Sequence, residues 1–158
     1  MKIGFFSDPH LGLWRNANTT TESRKAWRSQ ALNQAKEAID ALRDVGCEKF
    51  VCAGDLFDKY SNSEDQVIAA VDVFQHLDVC LAGNHDVVND SSRLGSLDLL
   101  SELVAGDEWV DVYRVGVNDQ QYFTNVMGQR LVIYSVPHHA TQEQFEGQLK
   151  AAALGRQQ

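Results

Sequence analysis

The sequence predicts an α/β fold whose first half builds a mainly parallel sheet, and three observations point there. From the N-terminus, strand-like apolar runs and helical stripes alternate as strand, helix, strand, helix, strand, the pattern of parallel strands joined by crossover helices. Each of the three strands is followed at once by a polar cluster: Asp8-Pro9-His10, Gly54-Asp55-Leu56-Phe57-Asp58 and Gly83-Asn84-His85-Asp86. In parallel sheets, ligand-binding loops gather beyond the carboxyl ends of the strands, so the three clusters are expected at one edge.

The elements follow in order. Residues 2–7 read as a buried strand, and Asp8 to Thr21 as a loop. From about Glu22 to Val45, Trp27, Ala31, Ala35, Ile39 and Leu42 recur every three or four residues, which makes one apolar helical stripe. Gly46 ends that helix. A second strand covers about Lys49 to Ala53. A second helix runs from about Glu64 to Leu77, with Val67, Ile68, Val71 and Phe74 as its buried face, and a third strand covers about Asp78 to Leu81. A short helix over Ser96 to Val104 comes next. Val110–Val115, Gln121–Val126 and Arg130–Val136 are strand-like pieces separated by turn residues, expected as a meander in a second sheet. Thr141 opens a last helix, with Gln144 three positions on as its capping-box partner.

The 158 residues suit a single domain, 1–158, around one core. A hydrophobic fraction of 44% and a charged fraction of 23% are ordinary for a globular chain. No apolar run is long enough to span a bilayer, and the N-terminus lacks a charged head before a long apolar stretch. The expectation is a cytoplasmic protein with no membrane partner. Cys47, Cys52 and Cys80 form no C-x-x-C pair, and they read as reduced thiols, two of them inside apolar runs. The net charge of −8 excludes a general basic coat for nucleic acid. It does not exclude a metal-dependent nuclease, because bound divalent ions offset the carboxylates at the site itself.

Singly, each cluster is weak, since an Asp after a strand is often a turn residue and a lone His is often a satisfied core or surface group. Together they bring carboxylates, an imidazole and an amide oxygen into a small space. Without a cation that grouping carries self-repulsion and desolvation. Mixed oxygen and nitrogen donors suit Mn, Fe, Zn or Co better than Mg. Gly54 and Gly83 allow the sharp turn and close approach that loop ligands need.

The order D-x-H, G-D-x-x-D, G-N-H-D resembles the calcineurin-like metallophosphoesterases. In finer detail, Asp8-Pro9-His10-Leu11-Gly12, Ala53-Gly54-Asp55-Leu56-Phe57-Asp58 and Ala82-Gly83-Asn84-His85-Asp86 are similar to the motifs of SbcD-type repair nucleases. The resemblance implies a layered α/β/β/α sandwich and two divalent ions, Mn²⁺ first among the alternatives. Asp8, His10 and Asp55 would hold one ion and Asp55 and Asn84 the other, with Asp55 bridging. His85 would stabilise or protonate the leaving oxygen, and Asp86 would orient it. The ions would activate a water for in-line attack on phosphorus. The implied partners are DNA, an SMC-like ATPase and a second copy of the chain, in a bacterial or phage-infected cytoplasm. For the dimer, Leu97, Leu100 and Val104 offer an apolar edge, unless they simply cover the sheet. The later single His and the G-H-x-H of the family are absent from these 158 residues. The sandwich is therefore expected to be incomplete at the C-terminus and cutting to be impaired. Two alternatives stand beside the nuclease. One is another phosphoesterase, acting on monoesters or cyclic nucleotides; the other is a shortened, non-catalytic binding subunit.

Other residues read two ways. Arg15, Arg24, Lys25 and Arg28 suit contacts to DNA phosphates or a solvated helix face. Trp14 suits stacking on a base or packing over the sheet edge. His76 suits a helix end. His138-His139 suits a solvated strand end better than a ligand pair.

Overall fold

The computed structural model describes residues 1–12, 20–87, 95–104, 111–113, 121–126, 129–134 and 141–154. The alternation expected of the first half is present as β1 (Lys2–Phe6), α1 (Thr21–Asp44), β2 (Cys47–Cys52), α2 (Glu64–Phe74) and β3 (Val79–Leu81). It continues as α3 (Ser96–Val104), β4 (Asp111–Tyr113), β5 (Gln121–Val126), β6 (Gln129–Tyr134) and α4 (Gln142–Leu154).

Local chemistry sets the helix ends. The Thr20 hydroxyl accepts from the Ser23 amide at 3.2 Å to start α1. Gly46, in the left-handed region at φ 85°, follows its end. Before α2 the Ser63 amide donates to Gln66 Oε1 at 3.0 Å, the return half of a capping box. The Gln144 amide donates to the Thr141 hydroxyl at 3.3 Å, as the sequence led us to expect.

β1, β2, β3 and β4 form one sheet in chain order, with every neighbouring pair parallel. This corrects one expectation. The first of the later strands does not join a second sheet: Val79, Cys80 and Leu81 pair with Asp111, Val112 and Tyr113. The reason is α3, which acts as a third crossover helix and returns the chain parallel to β3. β5 and β6 pair with each other as an antiparallel hairpin.

The three crossover helices cover one sheet face. Ala35 and Ile39 of α1, Val67, Ala70, Val73 and Phe74 of α2, and Leu97 and Leu100 of α3 share a core with Phe50, Cys52 and Cys80 of the strands. Gly4 lets α1 approach β1, because a Cβ there would stand 2.8 Å from Leu42 Cδ1. Val51 and Val79 point to the other face, with Ile3 and Leu81 beside them.

Several buried positions differ from the sequence reading. Trp27 is 43% and Ile68 63% exposed, while Ala70 and Val73 take the buried face of α2. Among the described strands β1 lies at the sheet edge, and its Phe5 is 58% exposed. Leu97 and Leu100 are buried in the chain's own core, so the apolar edge of α3 is Leu99 and Leu103 instead. Among the described residues no helix is long and apolar enough to cross a membrane.

Candidate metal centre

The three clusters occupy loops directly after β1, β2 and β3, and backbone bonds lock the loops together. The first loop lies along the second: the amides of Asp8, His10 and Leu11 donate to the carbonyls of Gly54, Asp55 and Leu56 at 3.0, 3.2 and 2.8 Å. Asp58 returns a bond to the Leu11 carbonyl at 3.1 Å. Parallel pairing thus continues past the strand ends, and Leu56 and Phe57 are fully buried beneath it.

Reaching this arrangement strains the backbone at particular residues. Among the described residues, the non-glycine positions with positive φ are Asp8 (57°), His10 (45°) and Asp55 (51°). Each is an expected metal ligand. Asp and His tolerate the left-handed region better than most residues, yet such positions persist only where the surroundings enforce them. Gly54, at φ 119°, needs no side chain. Gly83 has no room for one, because an added Cβ would run into the amide nitrogen and Oδ1 of Asp55.

The third loop is held by carboxylates. Asp86 is 4% exposed and accepts from the amides of Leu56 (3.1 Å), Phe57 (2.9 Å) and Gly83 (3.0 Å). It therefore ties the second loop to the third. Burial raises its pKa, against the lowering effect of those three bonds. Asp55 Oδ1 accepts from the His85 amide at 2.9 Å. The partner of His85 Nδ1 is the Asp58 carbonyl at 2.8 Å. That carbonyl, rather than the Asp86 carboxylate, is what orients the ring. The same bond is the main cause that raises the His85 pKa; desolvation opposes it, and Asp55, Asp58 and Asp86 add to it through their charge.

Among the described residues, two sets of side chains bring ligand atoms within 4.8 Å of one another: Asp8 with His10 and Asp55, and His10 with Asp58 and His85. His10 Nε2 lies 3.8 Å from Asp8 Oδ1, and His10 Nδ1 3.6 Å from Asp58 Oδ1. Both gaps are too long for hydrogen bonds, and Nδ1 is buried with no partner. Ligands about 2.1 Å from a shared ion stand at roughly this separation, so the donors fit a divalent cation. Asn84 is exposed in the same turn as His85.

Asp58 is the site residue that sequence reasoning left without a role. The signal was the second Asp of G-D-x-x-D. Of the basic residues, Arg24, Lys25 and Arg28 lie on the first turns of α1, and Arg28 stands 3.8 Å from Asp65. His76 is exposed just past α2. Trp14, Arg15, His138 and His139 lie outside the described residues.

A parallel sheet whose strand ends gather His and carboxylate ligands suits metal-assisted hydrolysis, and the sequence profile of calcineurin-like phosphoesterases matches residues 1–148. The chain belongs to that family, whose members are hydrolases that cleave phosphoesters with divalent metal ions. A comparison with curated proteins returned no match.

Proposed function

We propose that the protein is a metal-dependent DNA nuclease of the SbcD type, a subunit that works with an SMC-like ATPase in the cytoplasm and pairs with a second copy of itself. The observation that supports this reading is the company kept by the motif residues. Leu11, Leu56 and Phe57, which the SbcD-type motifs add to the general family signature, stand together at the site: the Leu11 amide donates to the Leu56 carbonyl, and Leu56 and Phe57 are buried beneath the ligand loops.

Asp8, His10, Asp55 and Asn84 would hold the divalent ions, and Mn²⁺ suits their mixed donors. When bound, the ions neutralise phosphate charge and activate a water. The chain supplies the rest. A carbonyl oxygen can only accept, so His85 Nδ1 carries a hydrogen toward Asp58. The Nε2 of His85 is then the atom that holds a proton for the leaving oxygen. Asp86 keeps the second and third loops together through the amides of Leu56, Phe57 and Gly83.

The test is Mn²⁺-dependent digestion of end-labelled duplex DNA, run beside bis-p-nitrophenyl phosphate and p-nitrophenyl phosphate. A nuclease cuts DNA and the diester, and loses both activities in His85→Gln with its metals still bound. Preference for the monoester would make the protein a phosphomonoesterase. Metal binding with no hydrolysis of any substrate would favour a non-catalytic binding subunit.

A further inference from the structure

We propose that His10, Asp58 and His85 form a second cation site, selective for zinc, that competes with the Asp8–His10–Asp55 set for the same imidazole and inhibits the enzyme. The proposal rests on the metallohydrolase reading and concerns regulation of that centre; it does not require the substrate to be DNA.

The geometry centres on His10. Its ring lies between two carboxylates, with Nε2 facing Asp8 at 3.8 Å and Nδ1 facing Asp58 at 3.6 Å. Nδ1 is buried without a partner, a condition that costs free energy until something fills it. His85 stands edge-on to the same ring, with centroids 4.9 Å apart. Its Nδ1 is committed to the Asp58 carbonyl, which leaves Nε2 as the donor. One ligand atom from each of the three residues, an imidazole nitrogen of either His included, lies within 4.8 Å of the others.

The two sets differ in chemistry. Asp8, His10 and Asp55 offer two carboxylates and one imidazole, and suit a harder ion such as Mn²⁺. His10, Asp58 and His85 offer two imidazoles and one carboxylate, and suit Zn²⁺. They also exclude each other. A neutral imidazole presents a lone pair at one nitrogen and a hydrogen at the other. If Nε2 binds an ion beside Asp8, Nδ1 carries the hydrogen toward Asp58. If Nδ1 binds zinc, Nε2 carries it toward Asp8. Zinc in the second set also occupies the His85 nitrogen that otherwise holds the catalytic proton.

The experiment reads zinc binding directly, by equilibrium dialysis of the metal-free full chain and by the visible absorption of Co²⁺ as a stand-in. Asp8→Ala, which breaks the first set, should still bind one zinc. Adding Asp58→Asn or His85→Gln to Asp8→Ala should weaken that binding tenfold or more, on the order of the loss seen on removing even outer metal-site partners. Circular dichroism checks that each variant folds, and the two second-set variants read the same site independently. In Mn²⁺-loaded protein, added zinc should inhibit diester hydrolysis, and a chelator followed by fresh Mn²⁺ should restore it. Loss of all zinc in Asp8→Ala would overturn the proposal. So would unchanged zinc affinity when folded Asp58→Asn or His85→Gln is added. Failure of Mn²⁺ to support any hydrolysis would count against the functional reading alone, since zinc binding is measured without substrate.

Discussion

Gly83 and Asp55 show how closely the loops are fitted. Since a methyl at residue 83 would meet the backbone nitrogen as well as the carboxylate of Asp55, neither partner can step aside cheaply. Gly83→Ala should lose about 1–3 kcal/mol of stability, read by urea unfolding. Calorimetry should show weakened Mn²⁺ binding in the same variant, and unchanged values in both experiments would mean the loops are looser than described. His85 gives a second residue-level expectation. Its pKa lies above the ordinary 6.5, chiefly because of the Asp58 carbonyl. A raised folded-state pKa means that protonated His85 favours the native state below about 6.5, and that this contribution fades as pH rises through the folded value. NMR titration of the metal-free protein should find the ring titrating above 6.5. Asp58→Asn should keep most of the shift, because it leaves the carbonyl in place. A fall to the ordinary value would make the side-chain charge the cause.

Among the elements, α3 separates inward from outward leucines. Leu100 is fully buried and Leu99 is 47% exposed. Leu100→Ala should cost about 2–5 kcal/mol, while Leu99→Ala should stay within about 0.5 kcal/mol. Chemical denaturation of both variants checks the assignment, and equal costs would place the helix differently. The same element shows what could be read in advance. The start of α1 one residue from its expected place, and the Thr141 cap, were legible because capping chemistry is local. The buried faces were less so. Periodicity marks a stripe, but it did not choose between Ile68 and its neighbours Ala70 and Val73, since packing against α1 and the strands favours small residues there as readily as large ones. β4 was legible as a strand and not as a neighbour of β3, because its pairing depends on the direction in which α3 returns the chain. At the site, the D-x-H, G-D-x-x-D and G-N-H-D spacing named the residues that the loops bring together. Their left-handed backbone was not legible, because Asp and His carry no sequence mark of the conformation they adopt. Nor was the bond from the Asp58 carbonyl to His85, which involves an atom every residue has.

For the whole molecule, the acid-rich balance of −8 and the ligand-bearing loops predict strong coupling between cation binding and stability. An ion that binds the native state at 100 times its dissociation constant adds about 2.7 kcal/mol. The melting temperature should therefore rise with Mn²⁺ and fall back with a chelator, and Asp8→Ala should blunt the rise. A Tm indifferent to Mn²⁺ would mean that the loops bind it too weakly to matter.

The strand order carries a consequence for how the molecule is made. Because β1, β2, β3 and β4 lie side by side in the order they are synthesised, each of these strands docks on the edge of one already made. All three ligand loops precede β4 in the chain, so they leave the ribosome before the last strand of the sheet. The centre can begin to assemble on the nascent chain, so cation supply during translation bears on the yield of folded protein.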